Sequence, residues 1–440
     1  MRRRELRVSA ALLSVLLLAG CGKSASLTAE LTPRRTVDAQ SRDNGQQETQ
    51  SQDNGKEETV KEQSQGSRQQ EAAKAAVMDF SVELLRSCGE DENILLSPVS
   101  VLCALGMAES GARGATREQM ESVFGVEEES MNQFLGSYIR ELPSGKNYKL
   151  HIADSIWLNE SKEMKMEEDF LQTNVDNYDA EIYMLPFDNK AKEQVNGWVM
   201  ENTDKMIPEL LSEMNPNAAA YLINAVAFDA KWQEPYRKDQ ISQGIFTTED
   251  GREQNVKVMY GEEFHYLEGD NETGFAKYYE GRGEDKSYAF VALLPEEGLS
   301  MEDYLGTLTG EELSGLLENE SPDAVLTMLP KFQTEYGREL GGDLADMGMS
   351  DAFDAELADF TGMGTCADGN LYISKVIHKT CMAVDEAGTR AGAATAVEYE
   401  CGAAMMVKEV YLNRPFVYMI VDCENHIPLF LGVMQDMESK

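Results

Sequence analysis

Basic side chains are in short supply in this chain: 39 Lys and Arg stand against 78 Asp and Glu, a formal net charge of −39. With no basic stripe to offset that charge, nucleic acids, heparin-like polyanions and anionic lipid surfaces are excluded as electrostatic partners. Histidine is scarcer, and His151, His265, His378 and His426 lack the spacing of metal ligands. The Asp-Asn-Gly steps near the N-terminus also lack the flanking carboxylates of a calcium loop, so no metal and no cofactor is expected. There is no Gly-x-Ser-x-Gly turn and no Cys-x-x-Cys pair, which removes the usual signatures of a serine hydrolase and of a dithiol redox site. Long apolar runs are missing too. The longest near the start, Val8 to Ala19, is too short for a comfortable membrane span.

That run is instead placed as an export signal. Arg2, Arg3, Arg4 and Arg7 precede it, and Leu18-Ala19-Gly20-Cys21 follows, a small-residue pattern that resembles a bacterial lipoprotein box. On this reading residues 1–20 are a signal peptide. Cys21 is acylated and holds the protein at the bacterial cell surface, facing outward, with lipid as its sole membrane contact. Residues 21–70 are rich in Gln, Ser, Glu, Asp and Lys, with too few apolar side chains to offset the entropy of folding, and are expected to be a disordered stalk with a reach of roughly 40 Å. Residues 71–440 show no second low-complexity break and read as one domain. Its six cysteines, Cys88, Cys103, Cys366, Cys381, Cys401 and Cys423, lie apart in sequence, and their pairing stays open.

The pattern of the domain is helical first and β-rich afterwards. Helices are predicted over 69–88, 97–110, 116–124, 165–175 and 190–205, and strands over 148–158, 221–231, 254–260, 274–279, 288–294, 324–329, 371–384, 415–422 and 428–434. No regular β-α-β alternation appears, so the class is α+β with large, mostly antiparallel sheets. One segment stands out by its plainness: Val384 to Ala396 consists almost wholly of small residues. After Gly388, every second side chain (Thr389, Ala391, Ala393, Thr395, Val397) is small and uncharged, while Arg390 and Glu398 fall on the opposite face. Such a run can be a surface loop and can equally serve as a half-buried strand.

Several separate stretches, in order, resemble the serpin family. Asn93-Ile-Leu-Leu-Ser-Pro-Val-Ser-Val with Gly111-Ala-Arg-Gly-Ala-Thr is similar to its second and third helices. Leu222 to Trp232 is similar to its central strand, and Leu329-Pro-Lys-Phe332 to another strand of the fold. Leu344 to Phe353 matches the helix before the mobile region, Leu371 to His378 the strand leading into it, and Arg414-Pro-Phe416 with Pro428-Leu-Phe-Leu-Gly432 the close of the chain. The resemblance implies about nine helices, three mostly antiparallel sheets and an exposed reactive-centre loop. It implies a monomeric inhibitor, not an enzyme, whose partner is a serine protease trapped covalently as the cut loop inserts into the central sheet. A papain-like cysteine protease is the alternative partner, and a non-inhibitory binding module the alternative function.

Carried onto this sequence, the hinge comprises Glu386, Gly388, Thr389, Ala391, Ala393, Ala394 and Thr395. A polar cluster under the central sheet takes Ser97, Ser100, Asn224 and His378, and Trp232 marks the place where insertion begins; Trp198 lies on the helix expected to cross the sheet. Ser97 and His378 could also be read as parts of a hydrolase set, but Ser97 precedes a proline at a helix start. The family's spacing of about seventeen residues from Glu386 puts the reactive bond between Gly402 and Ala403, with Ala404 and Met405 as alternatives. Small residues there, with no Arg or Lys in the window, suit elastase-like or subtilisin-like pockets. Cys401 adjoins the bond, with nothing near it in sequence to activate a thiol.

Overall fold

The computed structural model describes residues 26–28, 31, 54–89, 92–142, 148–281, 287–367, 369–389 and 408–438. Among these, nine α-helices form: α1 (Asn54–Ser87), α2 (Pro98–Glu109), α3 (Gly114–Phe124), α4 (Glu128–Glu141), α5 (Glu168–Tyr178), α6 (Asn189–Asn202), α7 (Met301–Thr307), α8 (Gly310–Glu318) and α9 (Gly341–Leu344). Three principal sheets carry most of the strands, and the α+β expectation holds.

The central sheet has the order β12 (Phe332–Glu339), β14 (Lys375–Val384), β15 (Gly388–Thr389), β5 (Ala220–Lys231), β2 (Tyr148–Asn159), β4 (Glu181–Leu185). A second six-stranded sheet runs β1 (Ile94–Leu96), β18 (Ile427–Met434), β17 (Phe416–Asp422), β10 (Tyr288–Pro295), β9 (Glu272–Tyr278), β8 (Tyr266–Glu268). Four strands make the third: β16 (Lys408–Tyr411), β11 (Val325–Pro330), β7 (Glu253–Glu263) and β6 (Ile241–Thr247). A small ladder joins β3 (Lys165–Met166) to β13 (Gly364–Thr365). Pairing is antiparallel except at β2–β4, β5–β14 and β11–β16.

Period-two alternation in β5 sorts the core into two layers. Leu222, Val226 and Phe228 join the main cluster, whereas Tyr221, Ile223 and Ala225 pack with Val195 and Val199 of α6 on the other face. Beneath the first face lies α2, every residue of which is buried and which packs against β2, β5 and β18. A helix without a polar face has to sit inside the molecule, and this one fills the space between two sheets. Pro98 occupies its first turn, where a missing N–H costs nothing.

Several sequence boundaries shift. The helix predicted from Lys165 starts at Glu168, because Lys165 and Met166 pair with β13 instead. The strand predicted from Leu371 starts at Lys375. The helix expected from Leu344 to Phe353 is broken into a π-turn and a 3₁₀ turn about Gly348, whose φ of 125° no α-helix accommodates.

Parts of the segment 21–70, expected to be a disordered stalk, are described. The helix α1 already begins at Asn54, and Ser26 to Thr28 lie on β4, an edge strand of the central sheet. There the Leu27 N–H donates to the Ile182 carbonyl at 2.6 Å. The Ser26 hydroxyl donates to that same carbonyl and accepts from the Ile182 N–H, each at 3.0 Å. The Thr28 hydroxyl donates to the Ala180 carbonyl at 2.7 Å. Composition described the average of the stretch; a few hydroxyls and one leucine suffice to satisfy an exposed strand edge.

Candidate functional site

Most of the central sheet is closed, and the register shows where. β5 and β14 pair directly from Tyr221–Lys375 to Val226–Thr380. Further along they separate, and the short strand β15 fills the space: Thr389 sits opposite Val384 on one side and Ala230 on the other, with Gly388 opposite Lys231. Thr389 is fully buried, and its hydroxyl meets the Tyr279 hydroxyl at 2.6 Å. Gly388 has φ +155°, and a Cβ there would collide with the Ala230 carbonyl, so only glycine fits this turn into the sheet. The small run after Val384 therefore begins as a strand already seated between its neighbours.

The turn that leads into β15 is clamped from several sides. Trp232 donates its indole N–H to the Asp385 carbonyl at 2.8 Å and its backbone N–H to the Ala387 carbonyl at 3.0 Å. The Tyr236 N–H donates to the Glu386 carbonyl at 2.9 Å. Lys331 forms an ion pair with the Glu386 side chain and holds that carboxyl below its ordinary pKa. Trp232 itself stacks on Tyr279 at 4.6 Å and 13°, so one aromatic pair touches both the turn and Thr389. Trp198, by contrast, lies away from this end, edge-on to Trp157 at 6.3 Å on the α6 face.

Lower down, the direct β5–β14 seam is crossed by a polar row. Asp154 of β2 lies opposite Asn224 of β5, and Asn224 lies opposite His378 of β14. Asn224 donates from its amide to the Ser100 hydroxyl and, at 2.7 Å, to the Asp154 carboxylate, which also accepts from Ser100 at 3.3 Å. The Asn224 carbonyl meets His378 Nδ1 at 2.6 Å. His378 Nε2 accepts the Ser97 backbone N–H at 3.1 Å, which fixes a neutral ring with its proton on Nδ1. Burial pushes His378 down to about 3, in agreement with that assignment. The structure thus brings Ser100, Asn224 and His378 together and adds Asp154; Ser97 takes part through its backbone. Its hydroxyl is buried with no hydrogen-bond partner among the described residues. A serine whose hydroxyl does not reach the imidazole is not a nucleophile with its base, which disposes of the hydrolase set.

Asp154 was missed because nothing in a β-alternating run distinguishes it; only the register across three strands places it in the row. Burial pushes its carboxyl up to about 7, against the lowering effect of its bonds to Asn224 and Ser100. The unfolded chain loses this proton near 3.8, so Asp154 makes the fold less stable as pH rises from about 4 to 7, by at most ~1.4 kcal/mol per unit. Residual exposure of the residue trims that slope. His378 acts oppositely: its unfolded ring charges below 6.5 while the folded ring stays neutral to about 3, so stability is lost as pH falls through that window. Between pH 4 and 6.5 the two slopes oppose each other. Asp154→Asn keeps the shape and drops one slope, and its unfolding midpoint in urea is expected to gain on the parent from pH 5 to about 7 and to level off above. A constant offset over that range would show that the carboxyl titrates normally.

The remaining hinge positions Ala391, Ala393, Ala394 and Thr395, the reactive-bond positions Gly402, Ala403, Ala404 and Met405, and Cys21 lie outside the described residues. The chain is described again from β16. Among the described residues, Cys88, Cys103 and Cys366 are free thiols.

Comparison with known proteins agrees with this geometry. The family profile described as "Serpin (serine protease inhibitor)" matches residues 75–437. Leukocyte elastase inhibitor of Bos taurus is 32% identical over 382 residues, covering 82% of this chain and 98% of its own. The thermophilic serpin Tengpin in its native state superimposes with a TM-score of 0.81 at 36% identity, covering 94% of this chain and 100% of its own. In its latent state the same protein gives 0.72 at 38% identity, covering 83% and 98%.

Proposed function

This chain belongs to the serpin family, and from that membership we propose that it is a suicide inhibitor of serine endopeptidases with elastase-like or subtilisin-like pockets, cut between Gly402 and Ala403. The protease serine attacks the Gly402 carbonyl, the Gly402–Ala403 bond breaks, the Ala403 amine leaves with a proton, and an ester joins protease and inhibitor. The new loop end then draws into the central sheet between β5 and β14. About fifteen strand residues at ~3.3 Å each move the attached protease roughly 50 Å, far enough to pull apart the geometry that would let water release it.

One observation carries this reading: Thr389 is already strand-paired on both sides and Gly388 with β5, while six residue pairs of the β5–β14 seam remain zipped below them. Insertion needs only to continue a strand that has started. Small loop residues keep its burial free of charge and bulk, and the likeness to a leukocyte elastase inhibitor favours the small-residue pocket. We further propose that Cys21 carries lipid and holds the inhibitor at a bacterial surface, as the Leu-Ala-Gly-Cys pattern supports.

Mixing the protein with an elastase and with a subtilisin is expected to give a band of summed mass that survives denaturing electrophoresis. Mass spectrometry of the released C-terminal peptide should begin at Ala403. Clean cleavage with full recovery of protease activity, for every enzyme tried, would instead assign the chain to the non-inhibitory members of the fold.

A further inference from the structure

A cavity of about 320 Å³ opens between the turn that joins β8 to β9 and the helices α7 and α8. Its lining holds four carboxylates, Glu268, Asp270, Glu272 and Glu312, and no Lys or Arg. Lys408 pairs with Glu268 at 3.0 Å, which leaves three acids without a cation among the described residues. Glu272 is only 7% exposed, and a carboxyl taken out of water without a cation is costly. Burial first, then the neighbouring Glu312 and Asp270, raises its pKa, so it lies among like charges. A Cβ at Gly269 would collide with its carboxyl; the turn is shaped around the acid. The Tyr304 hydroxyl faces the same carboxyl, yet it is buried and closes no hydrogen bond of normal geometry among the described residues. Buried polar groups that converge on a cavity without satisfying one another have the make-up of a ligand site.

The ligand has to be positive, and the walls say what shape it has. Among the described residues no three His, Cys, Asp or Glu side chains converge as metal ligands, so the acids are spread too widely for one small ion. Leu308 and Leu316, both buried, line the same cavity and give it an apolar wall. Glu312 uses one carboxylate oxygen to cap α8, accepting from the Thr309 N–H and hydroxyl at 2.9 Å each. That bond holds it in place with its other oxygen open. We propose that the cavity binds a linear aliphatic polyamine, whose ammonium groups donate to Glu272, Asp270, Glu312 and the Tyr304 hydroxyl oxygen while its methylene chain lies on Leu308 and Leu316. Several charges on an apolar chain match several acids beside an apolar wall, which neither a metal ion nor a lone ammonium does. Binding there stabilises the folded domain by mass action, whether or not the chain traps a protease.

The test is isothermal titration with spermidine, at fixed ionic strength because a net charge of −39 attracts any polycation. The parent is expected to bind a single spermidine, and Glu272→Gln, which keeps the shape, to bind it about tenfold more weakly. Tyr304→Phe removes one oxygen and no charge. A several-fold loss is expected from it, which diffuse attraction to an acidic surface would not give. Glu311→Gln, at an exposed acid outside the cavity, removes the same charge as Glu272→Gln and should bind as the parent does. If Glu272→Gln does not fold, Tyr304→Phe and Glu311→Gln decide between them. No binding by the parent, or equal binding by parent, Glu272→Gln and Tyr304→Phe, would overturn the site. Nα-acetyl-lysine amide carries one ammonium, as a partner's lysine would, and is expected to bind at least about tenfold more weakly than spermidine. Equal affinity would overturn the polyamine in favour of a docked lysine side chain. Displacement of spermidine by equimolar Mg²⁺ would overturn it in favour of a metal.

Discussion

Complete cleavage of the loop after Gly402 is expected to raise the thermal midpoint of the domain by roughly 15 °C or more. In the uncut chain β5 and β14 share one parallel ladder of six residue pairs. An inserted strand would replace it with two ladders, one on each side, of the kind Thr389 already makes with Val384 and Ala230. At a net contribution of about 1 kcal/mol per added hydrogen bond, a strand of this length adds on the order of 10 kcal/mol, and each kcal/mol moves the midpoint by one to a few degrees in a domain this large. Cleavage confirmed by mass spectrometry with an unchanged melting curve would show that the loop stays outside and that β15 is only a turn.

Thr389→Arg is the second large effect: covalent complex should vanish while cleavage continues at the parent's rate. Thr389 has no exposed surface and its hydroxyl is taken by Tyr279. An arginine there either remains buried without a charged partner, at several kcal/mol, or leaves the sheet and takes the first step of the strand with it. Three kcal/mol on the insertion barrier slows it more than a hundredfold, and the ester is hydrolysed first. Since Thr389 is already seated before cleavage, the variant will also melt earlier. Thr389→Val, which keeps the volume and loses only the hydroxyl, serves as control and should still trap. The ratio of covalent complex to cut inhibitor on a denaturing gel decides the matter; equal ratios for Thr389→Arg and parent would refute the assignment of its face.

How much of this could be read beforehand depended on whether the information was local. The parity that turns Thr389 inward, the glycine needed at 388 and the proline-led start of α2 follow from a few adjacent residues. Ser100, Asn224 and His378 could be grouped only through a family resemblance, and Asp154 not even then, because its membership depends on the alignment of β2 with β5. The place between β5 and β14 where a strand would insert is open at one end alone, since apolar neighbours such as Val226 and Val376 close the rest. Helices α4, α7 and α8 went unpredicted, and α5 was displaced by the pairing of Lys165 and Met166 with β13. A competing long-range partner outweighed local preference there.

The seating of Ser26 to Thr28 on β4 changes what a lipid at Cys21 would do. Four residues lie between Cys21 and Ser26, at most about 18 Å of fully extended chain, so the anchor would act as a bracket and not as a leash. The β4 edge of the inhibitor would lie beside the bilayer, and the domain could neither stand far off the membrane nor spin freely above it. Residues 32 to 53 would then connect two places on one folded body, and the proteases within range would be those that come close to the cell's own surface.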